Sequence, residues 1–408
     1  MKVLILGSGA VGTVIGNILS RHEEIEQIAM ADLDLEKARK AARKAANKKK
    51  VTAIAMNANN VDDMKKGMKG YDMVINATLP RFFLKVMRAC LESGVNYMDM
   101  ATDLGVARHE KAGQKIEKVP IDLQLEQDDA WKEAGLSAML CWGAEPGAVN
   151  VFARYAADQM DSVEKILVRD GDNSYIEGYD GFVSYWSPDT LIEECADLDA
   201  LVWTNGRFER IPSLSKSEIW EFPPPIGKLK VWCVDHEETE TLGRFIGKGC
   251  KECNFYLALS DEVADMLRMM KKMGFVSPVP IDVKGVKVAP RDVVTALMPS
   301  PAEMDLNAKI RGMGCASVMV IGKRGNKRYS HYIYNIADHE KCWQTYGANA
   351  TAVQTATPTA IATVLKARGV IDRKGVFPPE MLDPGPIMEA FKKMGFPWQE
   401  EKKELSEG

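Results

Sequence analysis

The sequence lacks the features that mark several classes of protein. No apolar run approaches the roughly 20 residues that cross a bilayer, and Met1-Lys2 leads into a short apolar segment without the pattern of a signal peptide. The eight cysteines are dispersed over 408 residues, which indicates reduced thiols and not a disulfide framework. We therefore expect a cytoplasmic protein without a membrane partner.

An excess of positive charge is also missing, because 53 basic residues stand against 57 acidic ones and the net charge is −4. The lysine-rich stretch from Lys37 to Lys50 carries alanines at helical spacing. We interpret it as a solvated helix face and expect no nucleic-acid partner. The apolar fraction of 46% and the charged fraction of 27% are typical of globular proteins, and the length predicts two or three folded units.

A glycine-rich turn, Gly7-Ser-Gly-Ala-Val-Gly12, follows the apolar run Val3 to Leu6 and leads into a helical pattern. In a dinucleotide-binding turn the first glycine allows the bend, the second lets the backbone approach a pyrophosphate, and the third lets the helix lie close to the strand. Asp32 lies 20 residues after Gly12, where a carboxylate can bind an adenosine ribose. The cofactor contacts predicted here are Gly7, Gly9, Ala10, Val11, Gly12 and Asp32. By itself the turn also fits an unrelated α/β protein.

The choice between NAD and NADP depends on the residues around Asp32. Its carboxylate would repel the 2′-phosphate of NADP, so the sequence favours NAD. Lys37 and Arg39 lie close along the chain and leave NADP possible.

The segment Gly70 to Ala77 is predicted to be the strand that ends beside the nicotinamide. Ligands bind at the carboxyl ends of such strands, so we add Asn76, Ala77 and Thr78 to the predicted cofactor contacts. Arg81 follows and could reach the substrate. Alternatively it is a solvated residue at the start of the next helix.

Helices and strands alternate over the first 140 residues, which predicts a doubly wound parallel sheet with crossover helices. From about residue 162 strands with alternating polarity appear, and they predict an inserted α+β domain with a mostly antiparallel sheet. The predicted domains are 1–140 plus 345–408 for the dinucleotide and 141–344 for the substrate. Residues 104–135 look helical, and a late helix is predicted with Thr357 as N-cap and Pro358 at its first position.

These residues together resemble the saccharopine dehydrogenase family. The motifs that carry the resemblance extend over nearly the whole chain: Gly7 to Gly12, Ala31-Asp32, Ser93 to Asp103, Gly143 to Asn150, Tyr185 to Glu194 and Gln354 to Leu382. The resemblance implies a variant Rossmann domain, an inserted domain that binds substrate and dimerises, and hence a homodimer. It also implies NAD(P)-dependent hydride transfer at the C–N bond of a small amino-acid-derived amine or imine. Lysine 6-dehydrogenase-like deamination and a cofactor-binding protein without catalysis are the alternatives.

Such a reaction needs a group that takes or gives a proton. Asp103 is the first candidate, because it ends the predicted strand Val95 to Met100 at the crevice, and Tyr97 and Asp99 share its strand face. The alternative is that Asp99 or Asp103 caps a turn.

A substrate carboxylate also needs an anchor, for which the planar fork of arginine is suited. The predicted substrate contacts are Arg81, Glu145, Arg154 and Arg244. Tyr185 and Trp186 could form an apolar wall for a methylene chain, or simply pack in the core.

A zinc site is a rival interpretation of one segment. Cys233-x2-His236 is followed by Cys250-x2-Cys253, which has the ligand types and spacing of a structural zinc site. Cys233 lies inside an apolar strand pattern, however, and glycine-rich knuckle turns are missing. We therefore predict no metal.

Overall fold

The computed structural model describes residues 1–103, 113–114, 116–301 and 305–406. To residue 160 the elements are β1 (Lys2–Leu6), α1 (Ala10–Leu19), β2 (Gln27–Asp32), α2 (Leu35–Arg43), β3 (Val51–Ala55), α3 (Val61–Met68), β4 (Met73–Asn76), α4 (Phe83–Ser93), β5 (Asn96–Met98), α5 (Pro120–Leu125), α6 (Asp128–Glu133), β6 (Ser137–Met139) and α7 (Ala148–Asp158). The middle of the chain contains β7 (Ser162–Asp172), β8 (Tyr175–Ile176), α8 (Pro188–Ile192), β9 (Ala200–Thr204), β10 (Arg207–Ile211), β11 (Ser217–Phe222), β12 (Gly227–Cys233), α9 (Glu238–Phe245), β13 (Glu252–Ala258), α10 (Asp261–Met273), β14 (Ile281–Val283), β15 (Val286–Val288), α11 (Pro290–Leu297), β16 (Ile310–Arg311), β17 (Met313–Arg324) and β18 (Lys327–Asp338). The last part contains α12 (His339–Tyr346), α13 (Ala350–Ala367), β19 (Gly375–Phe377), α14 (Pro384–Lys393) and β20 (Gln399–Leu405).

The first sheet has seven parallel strands in the order β3-β2-β1-β4-β5-β6-β19. In this doubly wound order the strands are added first to one side of β1 and then, from β4 on, to its other side. A crevice therefore opens between the carboxyl ends of β1 and β4. The apolar runs of β1, β2 and β4 are buried, as strands covered on both faces require, whereas the edge strand β3 has no buried residue. The predicted doubly wound parallel sheet is confirmed.

The second sheet has nine strands and runs β10-β9-β13-β7-β17-β18-β20, with β12 and then β11 added beside β13. Its pairs are antiparallel except for β7 with β13. The predicted mostly antiparallel sheet is therefore confirmed. The domain boundaries stay a prediction, and the end of the chain contributes to both sheets, since β19 lies in the first sheet and β20 in the second.

One helix prediction was wrong. The helix α13 begins at Ala350, where the side chain of Asn349 accepts a hydrogen bond from Ala352 N, and Pro358 lies inside it. Proline costs a helix roughly 3 kcal/mol, but nearly all of α13 is buried between the two sheets and α1, so packing outweighs this cost. The predicted helical stretch 104–135 lies partly outside the described residues, and its described part holds the short helices α5 and α6.

Within the described ranges we find no helix with the length and apolar character of a membrane span.

Candidate active site

The glycine-rich turn between β1 and α1 has the geometry of a phosphate cradle. Gly7 has a φ of +104°, and a Cβ added there would lie 2.3 Å from the carbonyl oxygen of Ala77. A Cβ on Gly12 would lie 2.0 Å from the oxygen of Gly7. At Gly9, by contrast, an added Cβ would meet no described atom within 4 Å. Gly7 and Gly12 thus hold the turn closed, while Gly9 leaves open the space in front of the α1 N-terminus, where a pyrophosphate fits.

Asp32 ends β2 beside this turn. One carboxylate oxygen accepts a hydrogen bond from Ser8 N at 2.9 Å and the other from Asp34 N at 3.0 Å. The carboxylate is therefore fixed against the cradle, at the place where a ribose would lie. Arg39 is one of the two nearby basic residues that leave NADP possible. Its Nη1 lies 2.5 Å from Oε1 of Glu36, one turn earlier on α2.

The end of β4 is held by the buried side chain of Asn76. Its Nδ2 donates to the Tyr97 hydroxyl at 3.1 Å, and its Oδ1 accepts from the backbone nitrogen (3.2 Å) and the hydroxyl (2.7 Å) of Thr78. The amide of Asn76 is thus occupied inside the protein, whereas Thr78 is only partly buried at the crevice. Cofactor contacts by Asn76, Ala77 and Thr78 stay a prediction.

The three predicted catalytic residues are buried around β5. Tyr97 packs against Trp131, and Asp99 accepts hydrogen bonds from Cys141 N at 2.7 Å and from Gln124 Nε2 at 2.8 Å. Burial raises the pKa of Asp99 to about 7. The carboxylate of Asp103 accepts from Leu84 N, in the first turn of α4, at 3.0 Å.

This contact differs from the expected alternative, the capping of a turn, because Asp103 binds the start of the preceding helix α4. A catalytic role for Tyr97, Asp99 and Asp103 stays a prediction, and none of the three lines the cavity formed by the described residues.

That cavity, of about 570 Å³, lies where the second sheet meets the carboxyl edge of the first. Asp170 and Asp172 on β7 form one wall, the loop after β6 contributes Glu145, and the start of α13 contributes Thr355. A Cβ added to Gly143 would lie 3.2 Å from Thr355 Cγ2 and 3.5 Å from Met100 Cβ, so the loop, α13 and the end of β5 meet there. The cavity therefore adjoins the crevice of the dinucleotide fold.

Aromatic side chains form a further wall of the cavity, where Tyr185 and Trp186 lie with Phe182. Tyr185 packs against the buried ring of His339 at 5.1 Å. His339 donates from Nε2 to Asp172 Oδ2 at 3.0 Å, because its Nδ1 accepts from Ala350 N at 3.3 Å. The placement of Tyr185 and Trp186 in a substrate-sized cavity agrees with the apolar wall expected from the sequence.

The carboxyl groups of Glu145 and Asp170 lie side by side in the cavity and interact electrostatically. Glu145 Oε1 also accepts from Ser317 N at 3.0 Å. Burial and the charge of Asp170 raise the pKa of Glu145 well above its ordinary value, and burial together with the charge of Asp172 raises the pKa of Asp170 to about 7. Two carboxyl groups this close cannot both ionise cheaply, so the pair holds a shared proton near neutral pH.

His236 lies behind this pair and stacks on Phe255 with ring centroids 3.8 Å apart. Its Nδ1 contacts a carboxylate oxygen of Glu238 and lies 3.4 Å from Glu237. Burial would lower the pKa of His236, but Glu238, Glu237 and Glu194 together raise it well above its ordinary value. The residues therefore form a buried cluster of carboxylates around an imidazolium.

Sequence reasoning missed Asp170, Asp172, Glu238 and His339. The available signal was that two acidic residues, Asp170 and Asp172, stand two positions apart at the end of an apolar strand pattern, where they share one face. The contact of His339 with β7 joins positions 167 residues apart and left no local pattern.

The three predicted arginine anchors pair with carboxylates of the protein itself. Arg81 lies 3.7 Å from Asp189, Arg154 Nε is 3.0 Å from Asp158, and Arg244 Nη1 is 2.7 Å from Asp122, as the described ion pairs show. None of them is among the described lining residues of the cavity, whereas Glu145 is. Substrate binding by Arg81, Arg154 and Arg244 stays a prediction that this geometry does not support.

The zinc interpretation also loses its support. Among the described residues, ligand atoms that could share an ion gather only at Glu194, His236 and Glu237, without a cysteine. Burial raises the pKa of Cys250 to about 11 and that of Cys233 to about 12, so both are neutral thiols at neutral pH.

Comparison with known proteins agrees with the geometry. Residues 3–139 match the family model of the saccharopine dehydrogenase NADP binding domain, and residues 143–396 match that of the saccharopine dehydrogenase C-terminal domain. Carboxynorspermidine synthase from Vibrio cholerae is 30% identical over 98% of this chain and 96% of its own. Carboxyaminopropylagmatine dehydrogenase from Synechocystis is 28% identical over 98% and 97%.

Two solved structures share the fold. Saccharopine dehydrogenase (L-Glu forming) from Saccharomyces cerevisiae has a TM-score of 0.71 at 15% identity, with 99% of this chain and 100% of that chain covered. Homospermidine synthase from Legionella pneumophila, in complex with NAD, has a TM-score of 0.69 at 15% identity, with 98% and 91% covered. The chain thus belongs to the saccharopine dehydrogenase family and is an NAD(P)-dependent oxidoreductase that acts at the C–N bond of an amine or imine.

Proposed function

We propose that the substrate of this enzyme is a carboxylated polyamine, in which a secondary amine joins a carboxylated carbon chain to a cationic amine chain. The observation that supports this is the charge of the cavity. Its described lining includes five carboxyl groups and one basic residue, Lys230, which pairs with Asp261 at 2.6 Å. The five carboxyl groups belong to Glu145, Asp170, Asp172, Asp180 and Glu262.

The sign of this charge separates the candidate substrates. Opposite unit charges 4 Å apart attract by about 4 kcal/mol at the effective dielectric constant of a protein surface. Ammonium groups of a polyamine would gain this attraction, while saccharopine, which is multiply carboxylated, would be repelled. The two relatives whose names describe carboxylated polyamines support the same choice.

The aromatic wall suits such a chain for a separate reason. Methylene groups pack against the faces of Tyr185 and Trp186, and an ammonium over a tryptophan ring gains up to about 2 kcal/mol when it is desolvated. Polyamines carry both kinds of group in alternation.

The shared proton of Glu145 and Asp170 gives this chain a part in the chemistry. The bound cofactor supplies or accepts the hydride at the carbon of the C–N bond. The nitrogen must gain a proton when the imine is reduced and lose one when the amine is oxidised. A carboxyl pair that titrates near neutral pH, inside the cavity, can hold that proton in either direction.

A charge reversal at the cavity tests the substrate class. Wild-type enzyme with oxidised cofactor should turn over carboxynorspermidine or carboxyaminopropylagmatine faster than saccharopine or lysine. Glu262→Lys should lower kcat/KM for the polyamine about tenfold and raise it for saccharopine, since one reversed charge changes the interaction by roughly 1.4 kcal/mol.

The matched control is Glu389→Lys, on the exposed face of α14 away from the cavity. This variant should leave kcat/KM unchanged for both substrates. Preference of the wild type for saccharopine, or losses of equal size for both substrates in Glu262→Lys, would refute the proposal.

We also propose that the protein works as a homodimer in the cytoplasm with a preference for NAD. The support for a reducing compartment is that all eight cysteines are free and buried. The support for NAD is the fixed carboxylate of Asp32 at the ribose end of the cradle.

A further inference from the structure

One part of the cavity wall brings two acceptor oxygens to the same point. It lies at Gly314 near the start of β17, which pairs directly with Asp172 at the end of β7. A Cβ added to Gly314 would lie 2.9 Å from Oε1 of Gln354 and 3.7 Å from Oδ2 of Asp172. All three residues line the cavity, and we call the space that they enclose the Gly314 niche. Because Gly314 has no side chain, both oxygens are accessible from the cavity.

The amide of Gln354 is oriented by Asn335. Asn335 Nδ2 donates to the carbonyl oxygen of Pro397 at 2.6 Å, which leaves its Oδ1 as an acceptor. Gln354 Nε2 donates to this Oδ1 at 2.8 Å and to the carbonyl oxygen of Asn335 at 3.4 Å. The opposite orientation of the amide would bring Oε1 against two acceptors. Gln354 is only 7% exposed, and Oε1 is the atom of its amide that faces the niche.

The carboxylate of Asp172 is fixed on the other side of the niche. Its Oδ1 accepts a hydrogen bond from Ser174 N at 2.7 Å, and its Oδ2 accepts one from His339 Nε2 at 3.0 Å. A carboxylate oxygen has two lone pairs, so Oδ2 can accept a further hydrogen bond from the niche. The niche therefore offers an amide oxygen and a carboxylate oxygen, and both can only accept.

This pair of acceptors suits a primary ammonium. An ammonium directs its three N–H bonds toward separate acceptors, and the missing side chain of Gly314 lets it approach the backbone closely. A guanidinium is planar and is bound best by a carboxylate that offers both oxygens side by side. In Asp172 each oxygen already accepts a hydrogen bond from the protein, which makes that arrangement less suitable. A carboxylate would be repelled from the niche.

The niche also lies at a suitable distance from the carboxyl groups of Glu145 and Asp170. Asp170 and Asp172 stand two positions apart on β7, and both line the cavity. Two such positions are about 7 Å apart along a strand. A chain of about three or four methylene groups, with bonds of about 1.5 Å, spans most of this distance. Hydrogen bonds of about 2.8 Å at its two nitrogens cover the rest.

We propose that the Gly314 niche binds the terminal ammonium of the substrate's amine chain, with Gln354 and Asp172 as the residues that determine this specificity. The inference rests on the proposed function, because it takes the substrate to be a carboxylated polyamine. It adds the direction in which the substrate lies. The reacting amine is at Glu145 and Asp170, and the ammonium end points toward the start of α13.

Substrate analogues test the niche in the wild-type enzyme. We would measure kcat/KM with oxidised cofactor for carboxynorspermidine and for an analogue in which a methyl group replaces its terminal ammonium. The analogue should have a kcat/KM at least about 100-fold lower, because it leaves both acceptor oxygens unpaired. Carboxyaminopropylagmatine, which carries a guanidinium at that end, should be turned over more slowly than carboxynorspermidine.

Two variants test the residues themselves. Gly314 lies in a strand, so alanine fits its backbone, but the new methyl group would lie 2.9 Å from Gln354 Oε1 and fill the niche. Gly314→Ala should raise KM for carboxynorspermidine at least about tenfold with little change in kcat, since the lost binding is the same in the ground state and the transition state. Gln354→Met removes the acceptor at a similar volume and should act in the same way. For the methyl analogue, neither variant should change kcat/KM by more than about twofold.

The matched control is Gly385→Ala on α14, which is not among the described residues that line the cavity. It should leave the constants of both compounds unchanged, and thermal unfolding shows whether each variant is folded. If neither variant folds, the wild-type ratio between carboxynorspermidine and its methyl analogue decides.

Three results would overturn the niche while the proposed function stands. They are a wild type that turns over the methyl analogue as well as carboxynorspermidine, a wild type that prefers carboxyaminopropylagmatine, and folded variants that lose equally with both compounds. A wild type that prefers saccharopine would instead refute the proposed function, and the niche with it.

Discussion

Replacing Gly9 by alanine should weaken cofactor binding while leaving the fold intact. Gly9 has φ −73° and ψ −165°, a conformation that alanine adopts freely. The new methyl group would meet no described atom within 4 Å. The change in the free energy of unfolding should therefore stay within about 0.5 kcal/mol, as for other substitutions without a new contact.

The same methyl group would stand in the space through which a pyrophosphate approaches the turn. Crowding by one methyl group in a packed site costs about 1–3 kcal/mol, which corresponds to a dissociation constant roughly 5- to 150-fold higher. Titration of cofactor fluorescence measures this change, and thermal unfolding measures the stability of the same sample.

Gly12→Ala is the matched comparison, because its Cβ would lie 2.0 Å from the backbone oxygen of Gly7, which cannot move aside cheaply. This variant should lose both stability and cofactor binding. Unchanged cofactor affinity in Gly9→Ala, or a fall in its melting temperature as large as in Gly12→Ala, would refute the assignment of the cradle.

Three further predictions concern single carboxylates. Asp32→Ser should weaken NAD binding about tenfold and NADP binding less, and equal losses measured for the two cofactors would contradict the ribose assignment. Burial raises the pKa of Asp99 to about 7, so the folded state holds this proton more tightly than the unfolded state. As the pH rises from about 4 to about 8, the free energy of unfolding of wild type, measured by denaturant titration, should therefore decrease relative to that of Asp99→Asn. Parallel pH dependences of the two proteins would contradict this. Asp170→Asn should remove the limb near pH 7 from the plot of kcat/KM against pH. A pH dependence like that of wild type would exclude Asp170 from the proton transfer.

The parts of the fold that local pattern determines could be predicted from the sequence. The first sheet could be predicted from two patterns, the turn at Gly7 to Gly12 and the alternation of strands and helices up to β6. Each parallel strand there is a short apolar run between polar helices. The start of the late helix α13 was predicted eight residues too late in the chain, since Pro358 looks like a helix start unless the packing around it is known.

The candidate site was harder to predict because its charges come from distant parts of the chain. Strand alternation grouped Tyr97, Asp99 and Asp103 as a prediction, but β5 ends at Met98, and the pattern could not show that partners such as Gln124 would contact Asp99 and Asp103. The approach of Glu145 to Asp170 depends on how the second sheet lies against the first. No spacing rule in one sequence contains that relation.

The end of the chain, from β19 to β20, has a consequence for folding during synthesis. The strand β19 completes the edge of the first sheet beside β6, and β20 completes the edge of the second beside β18. Until β19 has been synthesised, β6 presents unpaired backbone groups to other nascent chains, and β18 does so until β20 follows. The first sheet can therefore be completed some 28 residues before the second, and the second sheet is the last part of the protein with an open edge.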